Sequence, residues 1–256
     1  MTPVLAASGL CFAYEADRPV LAGADLALHD GRRVAVLGPN GGGKTTLFRL
    51  LVGALEPGAG RVLLDGSPVR RTRRGLTALR EQVQLVLQDP DDQLFAASVA
   101  QDVSFGPVNM GLSAGEVTRR VDEALAALGI GELADRPTHL LSFGQKKRTA
   151  IAGAVAMRPR LLVLDEPTAG LDPAGVEELL VTLAALHATG TTPVLSTHDV
   201  DLAYRWADDV AVVAGGVVHT GPTDAVLGDA DLLRSARLGP AWAPAVHRLL
   251  LSLIHI

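Results

Sequence analysis

Residues Gly38–Thr46 read GPNGGGKTT and fit the spacing G-x-x-x-x-G-K-[ST]. The chemistry this spacing serves is a grip on a polyphosphate. Its glycines let successive backbone N–H groups turn inward, Lys44 can reach the β- and γ-phosphates, and the Thr45 hydroxyl can ligate Mg²⁺. A bare glycine turn would explain neither Lys44 nor Thr45. Gly38, Asn40, Gly41, Gly42, Gly43 and Thr46 belong to the same nucleotide-binding set.

Four further stretches carry groups suited to hydrolysing such a ligand. In LLVLDEP, Asp165 and Glu166 close an apolar run, and ligands gather at the ends of such runs in α/β sheets. Asp165 can hold Mg²⁺ through water, and Glu166 can polarise the water that attacks the γ-phosphate. Alone, the two carboxylates could equally cap a strand; with the glycine loop upstream, catalysis is the better account. His198 in STHD ends the next apolar run, where an imidazole can hydrogen-bond the γ-phosphate and hold the attacking water. A histidine after a strand is otherwise more often structural. Gln88 closes VQLVLQ, and its amide can touch Mg²⁺ or the water. Finally, LSFGQKKR (Leu141–Arg148) leads into the helix-like run KKRTAIAGAVAM. A serine, a glycine and a glutamine in that order suit a helix N-terminus that holds an anion. Phe143 interrupts it.

These residues need strands and helices to position them. RVAVLGP reads as a buried strand running into a turn, followed by the helix KTTLFRLLVG; RLLVLDEP and TPVLSTHD read as further strands. Between the last two, DPAGVEELLVTLAALHATG predicts a helix with Asp172 at the N-cap and Pro173 at its first position. Val176, Leu179, Leu180, Leu183 and Leu186 line one face, and Gly190 ends it. Strands alternating with helices favour an α/β fold with a largely parallel sheet. Residues 89–157 differ: helical patterns without a clear buried strand predict a helical lobe inserted between two sheet-forming portions.

Composition bounds the rest. The chain has 256 residues, 48% hydrophobic and 20% charged, which suits a soluble domain with a sizeable core. A formal net charge of -5 argues against a chain dominated by nucleic-acid contacts. The arginine-rich VRRTRRGLTALR lacks interleaved aromatics and reads as a solvated connector, so no direct nucleic-acid partner is expected. The single cysteine, Cys11, excludes an internal disulfide. No apolar run reaches the roughly 18–20 residues that span a bilayer, and MTPVLAASGLC lacks the positive start of a signal peptide. A cytosolic protein is expected, with any membrane role supplied by partners. The last six residues, LSLIHI, are what CTGTCTCTTATACACATCT encodes in frame. That string is a transposon-end adapter used in sequencing libraries, so residues 251–256 read as an artefact and residues 231–250 as a truncated C-terminal extension.

The order of these motifs resembles the ATP-binding subunits of ABC transporters, over about Val4 to Leu227. GPNGGGKTT falls at that family's Walker A segment, Gln88 at its Q-loop, LSFGQ at its signature motif, LLVLDEP at Walker B, AGLD at the D-loop and His198 at the switch histidine. The resemblance implies a P-loop nucleoside-triphosphatase fold with a mostly parallel central sheet, an N-terminal antiparallel β portion and the inserted helical lobe. One ATPase domain would cover residues 1–230, with its core at 1–88 and 158–230 and the lobe at 89–157. ATP and Mg²⁺ are the implied cofactors, and Tyr14 sits where members stack an aromatic on adenine.

The resemblance further implies a homo- or heterodimer of ATPase chains paired head to tail. Ser142, the Gly144 N–H and Gln145 would contact the γ-phosphate held by the other chain, and Asp172 would cross the same interface. LQDPDDQLFAASVAQDVSFGPVNMGL resembles the energy-coupling-factor importers, particularly the cobalt and nickel group. Vitamin importers share much of that wording and stay open as an alternative, as does a non-transport ABC ATPase acting on DNA or the ribosome. Transmembrane coupling and substrate-binding subunits are the implied partners, at the cytoplasmic face of the membrane. Leu94 and Phe95 would line a groove for a partner helix.

Overall fold

The structure is a computed structural model that describes residues 2–242. The chain divides into two compact units, one made of Met1–Val69 with Val194–Ile256, the other of Arg70–Pro193. The first segment carries β1 (Leu5–Glu15), β2 (Arg18–Leu28), β3 (Val34–Leu37), α1 (Lys44–Leu51), β4 (Ala59–Leu64) and β5 (Ser67–Pro68). The second unit carries α2 (Arg73–Gln82), β6 (Val83–Val86), α3 (Val99–Asn109), α4 (Ala114–Ala127), α5 (Phe143–Val155), β7 (Leu161–Leu164) and α6 (Pro173–Ala188). After β8 (Thr192–Thr197) come α7 (Val200–Trp206), β9 (Asp209–Ala214), β10 (Val217–Pro222), α8 (Thr223–Gly228) and α9 (Ala230–Ser235).

Two kinds of strand build the first unit. The antiparallel sheet runs in the order β2-β1-β4-β5, and β2 shows why it keeps a wet face. Ala24, Leu26 and Leu28 are buried while Asp25 and Ala27 are exposed, the alternation of a strand covered on one side. By contrast, all four residues of β3 are buried. β3 pairs in parallel with β8 from Val34↔Val194 to Leu37↔Thr197, and with β9 from Val34↔Asp209 to Leu37↔Val212. An unbroken apolar run suits a parallel strand covered on both faces.

The start of β3 is anchored by charge. Arg32 pairs with Asp209, and the Arg33 guanidinium pairs with Asp208 at 2.9 Å, which holds the Asp208 carboxyl below the usual range. β10 returns antiparallel to β9. The turn joining them is tied to β2, because the Ala22 N–H donates to the Gly216 carbonyl at 2.8 Å.

In the second unit, β6 and β7 pair in parallel from Val83↔Leu161 to Val86↔Leu164. α5 packs against α3, α4 and β6. Residues 89–157 hold helices and short 3₁₀ turns, with Ser98–Pro137 as a lone bridge. The compact unit is wider than this helical stretch. It also takes in α2, β6, β7 and α6, because α5 and α2 lie on β6 and the β6–β7 ladder holds the strands with them.

α6 begins as its sequence predicts: Asp172 accepts from the Gly175 N–H at 2.7 Å, and Pro173 follows. Its buried stripe is narrower, with Leu179, Leu183 and Leu186 buried but Val176 and Leu180 only half-buried. Residues 243–256, including the suspected adapter-encoded Leu251–Ile256, lie outside the described residues.

Candidate nucleotide site

In the first unit, the buried end of β3 at Leu37 runs directly into the glycine loop and then α1. The α1 N-cap is Gly43 at φ 101°, and no side chain caps this helix. Glycine is favoured there on two counts. Its φ lies in the left-handed region, and a Cβ would come 3.1 Å from Val20 Cγ1. Lys44 is buried, and its ammonium donates to the carbonyls of Gly38 at 2.8 Å and Pro39 at 3.3 Å, so it lies across the loop. Asn40 and Gly41 are exposed, Gly42 and Thr45 half-buried, and Thr46 buried.

Tyr14, near the end of β1, reaches the same helix: its hydroxyl is 3.3 Å from Thr46 Oγ1. β1 pairs on both sides, yet its pairing with β4 stops at Cys11, leaving Tyr14 61% exposed with the Phe12 ring nearly perpendicular to its own at 4.9 Å. His198 is exposed just beyond β8. Because Leu37 pairs with Thr197, Gly38 and His198 leave neighbouring parallel strands at the same edge.

In the second unit, Asp165 and Glu166 follow β7 at 3% and 6% exposure, which excludes a solvated strand cap for the pair. Glu166 has φ 44°, an uncommon conformation for a residue with a side chain and a strain that recurs at functional sites. Gln88 does not close its strand: β6 ends at Val86 and Gln88 is exposed two residues later. The ladder stops because the Leu87 N–H donates to Gln93 Oε1 at 3.0 Å instead.

The signature stretch forms a capping box at the N-terminus of α5. Ser142 Oγ accepts from the Gln145 N–H at 3.3 Å, and Gln145 Oε1 accepts from the Ser142 N–H at 3.0 Å. Ser142, Gly144 and Asp172 share one cleft of about 350 Å³, so the structure brings together signature and D-loop residues that are distant in sequence. Phe143 turns its ring onto Gly170, where a Cβ would lie 2.7 Å from Phe143 Cε1.

Sequence reasoning gave no role to three residues. Lys147 is buried, and its ammonium donates to the carbonyls of Pro167 at 2.8 Å, Ala169 at 2.6 Å and Glu166 at 3.3 Å. Burial lowers its pKa to about 8, against the opposing pull of Glu166 and Asp89. The signal was present, because Lys147, Ala150, Ile151 and Ala154 fall on one buried helical stripe. Gln93 bridges Leu87 to the Ala150 carbonyl, and buried Asp102 accepts from the N–H groups of Phe95 and Ala96 at 2.9 Å. Neither bridge has a local sequence signal.

A buried parallel strand, a glycine turn and an uncapped helix beginning with Lys44 define a P-loop nucleotide-binding protein. The profile described as ABC transporter matches residues 21–169 of the 256. The chain belongs to the ABC transporter family, as its ATPase component. It is 56% identical over 241 residues to the cobalt import ATP-binding protein CbiO of Rhodobacter capsulatus, covering 94% of this chain and 86% of that one. It is 42% identical over 243 residues to the energy-coupling factor transporter ATP-binding protein EcfA of Methanosphaera stadtmanae, covering 94% and 87%. Among solved structures, cbiO1 from Clostridium perfringens, described as part of the ABC transporter complex cbiONQ, matches with a TM-score of 0.81. That pair is 43% identical, and the match covers 98% of this chain and 99% of that one.

Proposed function

We propose that this chain is the ATP-hydrolysing subunit that powers import of a transition-metal ion, cobalt or nickel, through membrane partner subunits. The observation that carries the reading is its 56% identity, across 94% of its length, to a protein named for cobalt import. The likeness to cbiO1, described as part of a transporter complex, supports work in an assembly at the cytoplasmic face of the membrane. Among the described residues no helix is long and apolar enough to cross a membrane. An exposed aromatic pair offers a surface for a membrane partner's helix. The rings of Phe95 and Phe105 meet edge-on at 4.7 Å, at 66% and 52% exposure, with half-buried Leu94 next in the chain.

In the proposed cycle, Lys44 and the glycine loop hold the β- and γ-phosphates and Tyr14 stacks on adenine. Glu166 polarises the attacking water, with His198 and Gln88 helping to hold it. Thr45, Asp165 and Gln88 offer only oxygen donors (hydroxyl, carboxylate and amide), the set that suits Mg²⁺. When bound there, Mg²⁺ supplies charge neutralisation on the phosphates. A second ATPase chain, identical or not, presents its own Ser142, Gly144 and Gln145 equivalents to the γ-phosphate, with Asp172 at the same interface. ATP thereby stabilises a closed pair, and hydrolysis removes the phosphate that bridges it.

The likeness to EcfA, named for an energy-coupling factor transporter, keeps the ATPase subunit of a vitamin importer of that type as the second reading. Reconstituting the chain with its co-purifying membrane subunits in proteoliposomes separates the two. ATP-dependent accumulation of Co²⁺ or Ni²⁺ is the expected result. Uptake of a vitamin with neither ion moving would replace the cargo, and no ATP-dependent uptake of any solute would reject the transport role.

A further inference from the structure

Three consecutive cations open α5, and the helix sends them in different directions. Lys146 pairs with Asp91 at 2.6 Å and Arg148 pairs with Glu178, whereas Lys147 turns inward to 4% exposure. An ammonium has three N–H donors. Here three carbonyls of one short segment, those of Glu166, Pro167 and Ala169, receive them at 2.6–3.3 Å. Phe143, one helical turn earlier, holds its ring centroid 5.3 Å from the same nitrogen. That ring also rests on Gly170, where a Cβ would lie 2.7 Å away. α5 therefore grips residues 166–170 from two positions on one face.

Stability alone does not account for a charge at this place. A buried ammonium loses its hydration, and a well-packed apolar side chain would serve the core as well or better. What the ammonium adds is direction. It fixes backbone carbonyls on both sides of a proline, beginning at Glu166 with its left-handed φ of 44°. A backbone in that region persists only where its surroundings over-determine it.

We propose that Lys147 is a positioning residue for ATP hydrolysis: its three hydrogen bonds tie the 166–169 backbone to the signature helix and so set the direction of the Glu166 carboxylate. The proposal rests on the reading of Glu166 as the group that polarises water. One end of α5 then serves a nucleotide through Ser142 and Gly144, while the next turn holds the chain's own hydrolytic residue. A shift of the helix on engaging a second chain is thus transmitted to Glu166 through one side chain.

Steady-state MgATP hydrolysis by the full chain tests this with Lys147→Met, Lys147→Gln, Glu166→Gln and the double variants. Lys147→Met is expected to lower kcat about tenfold or more with KM within about threefold, the split for lost aim rather than lost binding. Lys147→Gln keeps two N–H donors and is expected to recover about a third of the wild-type kcat. In the Glu166→Gln background, adding either Lys147 substitution should change the residual rate by less than about twofold. An equal proportional fall in both backgrounds would make Lys147 merely structural, and so would a wild-type kcat in Lys147→Met. Should Lys147→Met not fold, the Lys147→Gln comparison across the two backgrounds decides alone. Unimpaired turnover by Glu166→Gln would overturn the Glu166 reading and this proposal together. A slow Glu166→Gln beside proportionally additive Lys147 effects would sink only the role of Lys147.

Discussion

Two helices of this chain begin at residues expected to hold phosphate, and they begin in opposite ways. α1 starts after Gly43 in a left-handed conformation, with no side-chain cap and no acidic residue in its first turn. α5 starts with a complete capping box, in which Ser142 and Gln145 satisfy each other's backbone N–H groups. The first turn of any helix leaves N–H groups without intrahelical partners. At α1 the cap residue is a glycine with no side chain to answer that need, and a polyphosphate suits the place. At α5 the chain answers part of it internally, through the Gln145 N–H. Beyond the box, the first turn can still offer the Phe143 and Gly144 N–H groups, the Ser142 hydroxyl proton and the Gln145 NH₂ group. A helix end that caps itself in part suits a site offered to another chain's nucleotide, because it depends less on a ligand between encounters.

The contrast can be broken most directly at Lys44. Lys44→Ala is expected to weaken MgATP binding by the full chain on the order of a hundredfold, the scale of a lost preorganised phosphate contact. Equilibrium titration reads it, and wild-type affinity would show that the α1 end is not where the nucleotide is held. Next in size is Ser142→Ala. Removing an N-cap oxygen is expected to lower unfolding stability by about 1 kcal/mol, read by denaturant titration. ATP affinity of the isolated chain should stay within about twofold, while ATP-driven pairing weakens. A fall in affinity matching that of Lys44→Ala would erase the distinction between the two helix ends.

The sequence shows part of this contrast and hides the rest for a definite reason. β3, β7 and β8 are apolar runs that end in chemistry-bearing residues, so both strand and site are legible locally. The α6 start is legible too, since Asp172 and Pro173 act within one turn. The end of β6 is not, because it depends on Leu87 giving its N–H to Gln93 rather than to a strand. Tyr14 and Thr46 meet across 32 residues with no local signal. The cations of α5 are an intermediate case. Their composition reads as a solvated basic run, while the spacing of Lys147 with Ala150, Ile151 and Ala154 places the middle one inside. Periodicity outranks composition there, since a helix face is set by register.

The finest test falls on the phenylalanine in the signature stretch. Phe143 is 41% exposed, packs on Gly170 and lies 5.3 Å below the Lys147 ammonium, while Ser142 and Gly144 open onto the cleft with Asp172. Phe143→Leu keeps an apolar side chain, of somewhat higher helix propensity, and removes the ring face. Leucine still covers part of Gly170, so the main loss is the cation–π contact, and stability should fall by about 0.5 kcal/mol. ATP affinity and ATP-driven pairing should both stay within about twofold, because the capping box and the Gly144 N–H do not involve the ring. A tenfold loss of pairing from this substitution would mean that the ring meets the nucleotide or the partner chain. The α5 end would then be a phosphate site built with an aromatic wall rather than a self-capped end braced from behind.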